Sequence, residues 1–218
     1  KTYQLPNDPK QFDWQIIQLK LETFRPINEI EIKAMKPFYQ SLLDFFSGPF
    51  LFSDVVSNEK IISESLVELF DYLVHEQWGI SLLQNSESTK NAFSYVIQSL
   101  QQNLLINANS PIWPFFATIS NLMSTQPGVS LLANFELLES LRKIGDCTKL
   151  EVAKRILSLI RFDPDGGWAI PVYVQFINSQ SREITSLAIK ELRRKIRNSI
   201  TTNEKLILML LIPHIKHA

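Results

Sequence analysis

The stretch WPFFATISNLMSTQPGVSLL, residues 113–132, predicts an apolar helix, a short break at QPG (126–128) and the start of a second helix. The same pattern occurs earlier as ESLVELFDYLVHEQWGISLL, residues 64–83, with Gln77 and Gln126 in register at an offset of 49 residues. Helix–turn–helix units that recur every 40–47 residues or so are typical of HEAT and armadillo arrays. The pair therefore predicts a helical-repeat fold, and by itself it indicates no chemistry.

The composition restricts the class of protein. The chain has 218 residues, 45% of them hydrophobic, which is enough for a sizeable folded core. Its 22 basic and 22 acidic residues balance, so there is no global attraction to nucleic acid or to an anionic membrane. Cys147 is the only cysteine, which excludes an internal disulfide and fits a reducing compartment. No apolar run reaches the roughly 20 residues of a membrane span.

Apolar periodicity and capping residues predict roughly ten to twelve helices, while the alternation of a strand is absent. We therefore predict an all-α fold, an α-solenoid of HEAT- or armadillo-like helical repeats. We expect residues 1–218 to form a single helical-repeat segment that is a fragment of a larger scaffold protein. An extended lead-in is expected at residues 1–10.

Individual residues predict the boundaries of the first helices. Asn28 is the expected N-cap of the second helix, and Pro37 is expected to kink or split it. Ser47-Gly48-Pro49 is expected to end that region, and its apolar stripe is expected to begin at Ile30. The predicted inner face of the first helix is formed by Phe12, Ile16 and Leu19.

Later boundaries are predicted in the same way. Asn58 is the expected start of the next helix, and Gly79 is the expected break after it. Ser86 or Ser88 is the expected cap of the helix that follows. The helix that starts after the break at 126–128 is expected to continue through Phe135, Leu138 and Leu141 and to end near Gly145. Ser181 is the expected cap of a long amphipathic helix that ends near residue 199.

The polar residues offer only weak candidates for a chemical site. Residues 163–166, DPDG, resemble the start of a calcium loop, but the later oxygen ligands are missing, so a helix–helix turn is favoured. His214 and His217 have no nearby Cys, Asp or Glu that would complete a metal site. Cys147 lacks the local signature of a nucleophile. We predict no catalytic, cofactor-binding or metal-ligating residue, and a protein that is not an enzyme.

Two further sets have an ordinary structural interpretation. Acidic residues at scattered helical positions are expected to form a solvated face, and these are Glu64, Glu68, Asp71 and Glu76. Aromatic residues at helical spacing are expected to be core and not a ligand cage, and these are Trp78, Trp113, Phe115, Phe116 and Trp168.

The strongest surface feature is a basic stripe, defined by Lys190, Arg193, Arg194 and Arg197 at positions i, i+3, i+4 and i+7 of one predicted helix. An ordinary solvated face is the favoured interpretation. The alternatives are a surface for an acidic partner, or one for phosphate groups of nucleic acid or lipid. We therefore assign no binding residue. The opposite side of the helix carries Ile184, Leu187, Ala188, Leu192 and Ile196.

Packing motifs in a shared order resemble the middle helical-repeat region of the Rictor/pianissimo family. The motifs are FDWQII at 12–17, PFYQSLLDFF at 37–46, FFATIS at 115–120 with PGVSLL at 127–132, and residues 157–177 followed by 183–194. The resemblance covers residues 11–198, and the sequence departs from the family pattern over residues 53–109.

Rictor is the defining subunit of TOR complex 2, so the resemblance implies a non-catalytic scaffold segment of that complex. It implies the TOR kinase and the Sin-type subunit as partners, signalling to AGC-family kinases, and no cofactor or nucleic acid. It also implies a cytoplasmic location, with recruitment to the plasma membrane as part of the complex. The alternative is an unrelated helical-repeat adaptor, in transport or trafficking, that binds a peptide or protein in a concave groove.

Overall fold

The computed structural model describes residues 13–23, 26, 28–51, 59–102, 106, 110–146, 149–161 and 168–198. These residues form eleven α-helices and no strand, which confirms the all-α prediction. The solenoid arrangement stays a prediction. The predicted lead-in at 1–10, the DPDG turn, Cys147 and the two C-terminal histidines lie outside the described residues. Within the described part, no helix is both long and apolar enough to cross a membrane.

The helices follow one another with short connections. In chain order they are α1 Trp14–Thr23, α2 Glu29–Phe45, α3 Glu59–His75, α4 Gln77–Gln84, α5 Glu87–Gln101, α6 Ile112–Met123, α7 Gln126–Asn134, α8 Leu138–Arg142, α9 Leu150–Leu159, α10 Ala169–Ile177 and α11 Arg182–Asn198. A π-helical turn, Phe46–Phe50, continues α2, and a 3-10 turn, Ile144–Asp146, follows α8.

The chain divides into two compact units. The first comprises Lys1–Ser94 and Asn107–Thr118, and the second comprises Tyr95–Ile106 and Ile119–Ala218. The chain passes between the units at three points, of which one falls within α5, one within α6 and one between these two helices. The expectation of one helical-repeat segment over 1–218 stays a prediction.

Helix α1 was predicted correctly, but its inner face was not. Ile16 and Leu19 are exposed at 51% and 57%, and the buried residues are Trp14, Ile17 and Leu21. Both sets have helical spacing, so periodicity alone cannot choose between two apolar stripes. Packing decides it in the first unit, because α1 lies against α3 and the large Trp14 ring reaches the aromatic rings at the end of α2.

Helix α2 begins where its cap predicts. The side-chain oxygen of Asn28 accepts a hydrogen bond of 3.0 Å from the backbone N–H of Glu31. Ile30 is 82% exposed, so the apolar stripe begins later, at the buried Met35. Pro37 lies inside α2 and does not split it. The helix tolerates this proline because the carbonyl that loses its partner belongs to the exposed Lys33, where solvent can reach it.

The region after α2 does not end at Ser47-Gly48-Pro49 as predicted. These residues form the π-helical turn instead, and the described chain continues to Leu51. Phe46 and Phe50 are buried at the ends of that turn and pack edge to face, with ring centroids 5.5 Å apart. Burial of two phenylalanines thus outweighs the local preference of glycine and proline for a loop.

The breaks between paired helices also lie earlier than predicted. Glu76 separates α3 from α4, and Ser124 with Thr125 separates α6 from α7. Gly79 and Gly128 are therefore in the first turn of the following helices. A Cβ at either position would collide with the backbone of the preceding helix. These glycines allow the two helices of each pair to approach closely, and they do not end a helix.

The second unit contains a helix end that the sequence did not indicate. Helix α7 stops at Asn134, so Phe135 does not continue it. Glu136 has a positive φ of 60°, while the N–H of Leu137 donates to the Leu132 carbonyl oxygen at 3.1 Å. The backbone N–H of Glu136 donates to the Ala133 carbonyl oxygen at 2.9 Å. This is a Schellman ending in which glutamate occupies the left-handed position that glycine usually takes.

Candidate interaction surface

Helix α11 carries the basic stripe, and its local sequence explains why the helix forms. The hydroxyl of Ser181 accepts a hydrogen bond of 3.4 Å from the N–H of Ile184, which confirms the predicted cap. Ile184, Ala188 and Leu192 are fully buried, and α11 packs on α9 and α10 within the second unit. The predicted inner face is thereby confirmed at these three positions.

Polar contacts fix the rotation of α11 about its axis. The Thr185 hydroxyl lies 3.2 Å from the carbonyl oxygens of both Ile177 and Ser179, at the end of α10. Further along, the ammonium group of Lys195 donates to the Ile160 carbonyl oxygen, just past the end of α9, at 2.7 Å. Carbonyl groups at a helix C-terminus lack partners within the helix, so both contacts satisfy otherwise exposed acceptors. Together they determine which face of α11 points outward.

The outward face is the basic stripe. Its four residues are all exposed, which confirms the predicted placement. Arg194 forms an ion pair of 2.7 Å with Glu191, one turn earlier on the same helix. Lys195 is basic too, but its ammonium group is directed to the end of α9 and does not belong to the stripe.

The stripe lines an open groove of about 1170 Å³, which we name the basic groove. It contains five basic side chains: Arg182, Lys190, Arg193, Arg194 and Arg197. Its neutral hydrogen-bonding residues are Asn178, Ser179, Thr185 and Ser186. Its apolar residues are Ile177 and Ile189, and none of the described residues that line it is acidic.

Sequence reasoning missed Arg182 and the wall that α10 contributes. Arg182, Ser186 and Lys190 follow one another at intervals of four, which places Arg182 on the same face as the stripe. That spacing could have extended the stripe by two turns. The contribution of Asn178 and Ser179 could not have been predicted, because it depends on how α10 and α11 pack.

The other sequence candidates lie apart from this groove. Glu64 and Asp71 are exposed, whereas Glu68 and Glu76 are partly buried. Within the described ranges, no cluster of three or more His, Cys, Asp or Glu side chains is placed to hold a metal ion. The aromatic candidates are core as predicted, with Trp78 half-buried and the others buried: Trp113, Phe115, Phe116 and Trp168.

One buried hydroxyl has a strongly shifted acidity. Desolvation by burial, reinforced by the nearby Glu191 carboxylate, raises the pKa of Tyr173 far above its usual range, and Arg194 opposes the shift. The hydroxyl is therefore protonated, and it donates to the Leu157 carbonyl oxygen at 3.5 Å. This bond links α10 to α9 within the second unit and supports packing, not proton transfer.

The chain matches no protein-family model, no curated protein and no solved structure. Among the described residues, the basic groove is the most distinctive surface. Its described lining has five cations, several hydroxyl and amide groups and no carboxylate, so it is suited to binding an anionic chain.

Proposed function

We propose that this chain is a non-catalytic scaffold segment of a Rictor-like subunit of TOR complex 2. In this role, each helix pair buries an apolar face on its neighbours, and the outer faces form docking surfaces for other subunits. The partners are the TOR kinase and the Sin-type subunit. The complex acts in the cytoplasm, is recruited to the plasma membrane, and signals to AGC-family kinases.

The observation that carries the proposal is that two separate motifs of the resemblance meet in the first unit. Trp14, from FDWQII, lies against the end of PFYQSLLDFF, with ring centroids 5.1 Å from Phe45 and 5.9 Å from Phe46. Two motifs that are separated by 19 residues of sequence, 18–36, thus serve one packing contact. Such a contact gives a physical reason for these residues to occur together and in that order.

Two further motifs are also largely at inward positions. FFATIS lies in α6, and PGVSLL opens α7. Their fully or almost fully buried members are Phe115, Phe116, Ile119, Ser120, Leu131 and Leu132. These two motifs, like the first two, therefore contribute to packing, as a scaffold segment requires.

Co-purification of the full chain from cells tests the proposal. A tagged chain should recover the TOR kinase together with the Sin-type subunit. Trp14→Ala should reduce that recovery, because it removes the contact between the two motifs. Gln15→Ala is the matched control, since Gln15 is the exposed neighbour on the same helix. A well-expressed, helical chain that recovers neither partner would exclude membership of the complex.

The basic groove favours one alternative, a helical adaptor in transport or trafficking that binds a peptide. Under this alternative, the chain would bind a peptide through the groove and would recover no TOR kinase. The co-purification experiment therefore separates the two functions without reference to the groove itself.

A further inference from the structure

We propose that the basic groove binds an acidic segment of a partner protein, in extended conformation, with carboxylates at alternate residues. The inference concerns the surface of this chain alone. It does not depend on membership of TOR complex 2, because binding can be measured on the isolated chain with a synthetic peptide.

Charge is the first argument. Among the described residues, no carboxylate lies within ion-pair distance of Arg182, Lys190, Arg193 or Arg197. Arg194 is the only cation of the groove that such a group neutralises, through Glu191. Like charges on successive turns of one helix repel one another, so an anionic ligand relieves a repulsion that the chain itself leaves in place.

Length and spacing are the second argument. From Arg182 to Arg197 the helix rises about 22 Å, at about 1.5 Å per residue. An extended segment of about seven residues covers the same distance at about 3.3 Å per residue. Its alternate side chains recur every 6.6 Å or so, close to the helix pitch of about 5.4 Å, and the long arginine side chains can absorb the difference.

Rigidity of the floor is the third argument. Leu192 is fully buried beneath the stripe, and the contacts of Thr185 and Lys195 fix α11 against its two neighbouring helices. The basic residues therefore project from a preorganised helix backbone. A bound ligand has to order their side chains only. Ser186 is exposed between Arg182 and Lys190, and its hydroxyl can bond to the backbone of an extended ligand.

The same groove is poorly suited to the other polyanions. None of the described residues that line it is aromatic, so they provide no platform on which a nucleic-acid base can stack. The arginine and lysine side chains lie in a concave groove between the end of α10 and α11, whereas a bilayer presents a flat surface. The equal numbers of basic and acidic residues also give the whole chain no general attraction to phosphate.

The test is fluorescence anisotropy on the full chain with a labelled peptide that alternates glutamate with serine, and with a matched peptide in which glutamine replaces glutamate. The glutamate peptide should bind and the glutamine peptide should not. Lys190→Gln, Arg193→Gln and Arg197→Gln together should weaken binding about tenfold, since each exposed ion pair contributes modestly. Raising salt from about 50 to about 300 mM should weaken binding to the unchanged chain as well.

A matched control variant separates the groove from general charge. Lys33, Lys36 and Lys143 are exposed and lie outside the groove, so changing these three to glutamine removes the same charge. This control should bind the peptide as the unchanged chain does. Ser186→Glu, which adds a carboxylate to the groove at an exposed position, should weaken binding by repulsion.

Several results would overturn the proposal. Equal weakening in the control variant would show non-specific attraction, and equal binding of the glutamine peptide would show that carboxylates are not recognised. Tighter, groove-dependent binding of phosphatidylserine vesicles or of a single-stranded oligonucleotide would assign the groove to another class of partner. Loss of helical circular dichroism in the triple groove variant, or full binding by Ser186→Glu, would show that these residues do not form an open docking surface.

Discussion

The turn between α3 and α4 and the turn between α6 and α7 place a glycine at the same point, three residues into the second helix. A Cβ on Gly79 would lie 2.8 Å from the Leu73 Cα atom, and one on Gly128 would lie 2.7 Å from the Leu122 Cα atom. Such distances are not compatible with a side chain. The two turns therefore share a close approach between the glycine and the backbone of the preceding helix. Both the glycines and the leucines that they approach are 49 residues apart in sequence.

The two turns differ in what holds them. The Thr125 hydroxyl accepts from the N–H of Gly128 at 3.3 Å and lies 3.0 Å from the Leu122 carbonyl oxygen, to which it donates. Glu76, at the matching position, makes no side-chain cap. There the half-buried Trp78 packs instead, with its ring centroid 5.2 Å from that of Tyr39. One backbone geometry is thus stabilised by a hydrogen-bonded cap in one unit and by aromatic packing in the other.

The largest expected effect concerns the matched leucines of the two turns. Leu131 is 1% exposed and Leu82 is 6% exposed. Leu131→Ala should lower the free energy of unfolding of the full chain by about 2–5 kcal/mol, and Leu82→Ala should fall toward the lower end of that range. Denaturant titration followed by circular dichroism measures both. Their controls are the exposed neighbours, Ser130→Ala and Ser81→Ala.

If Leu131→Ala costs less than about 0.5 kcal/mol, it does not anchor a repeat. A large cost at one leucine and none at the other would break the equivalence of the two turns.

The glycine substitutions test the close approach directly. Gly79→Ala and Gly128→Ala should each destabilise the chain by about 1–3 kcal/mol, because the added methyl group meets rigid backbone. Gly48→Ala is the control, since a Cβ there has no neighbour within 4 Å. Thermal melts of the three variants measure the difference. Unchanged stability in Gly79→Ala would mean that the first turn does not share the geometry of the second.

These turns also show why sequence reasoning matched the two segments but misplaced their breaks. Glycine and proline commonly mark turns, so QWG and QPG were interpreted as breaks. Proline is compatible with the first turn of a helix, and glycine there allows a close neighbour. Whether such a glycine ends a helix or allows close packing depends on how near it lies to the backbone of the residue six positions earlier. The local sequence pattern does not reveal this separation in space.

Prediction succeeded where one local signal was strong. Helix α11 has a capping serine and a sharply divided apolar and charged pattern, so its start and its faces were predicted correctly. Helix α1 offers two apolar stripes, and the choice between them depends on its packing against α3 and on the contact of Trp14 with Phe45. The basic groove was predicted only in part, since its second wall comes from the packing of α10 against α11.

A third comparison concerns Ser120 and Asp71, which are equivalent at the offset of 49. Ser120 is fully buried, donates to the Leu159 carbonyl oxygen at 3.0 Å and accepts from the N–H of Arg161 at 2.7 Å. Ser120→Ala should cost about 1–3 kcal/mol, because two part-buried backbone groups at the end of α9 lose their partner. Asp71 is exposed, so Asp71→Ala should stay within about 0.5 kcal/mol of the unchanged chain.

Hydrogen exchange sharpens this comparison. The Arg161 amide proton should exchange faster in Ser120→Ala, since it has lost its acceptor. Unchanged exchange there would mean that the serine does not hold the end of α9.

The smallest expected effect concerns the caps themselves. Thr125→Ala should destabilise the chain by about 1 kcal/mol, since the N–H of Gly128 loses its acceptor, and Thr125→Ser should retain most of the stability. Glu76→Ala should change little, because that side chain caps nothing, and Glu76→Thr should add a few tenths of a kcal/mol by supplying the missing cap. Melting temperatures of the four variants distinguish these effects. A loss at Glu76→Ala as large as at Thr125→Ala would show that both turns depend on their N-cap residue, and the distinction between capped and aromatic turns would then be wrong.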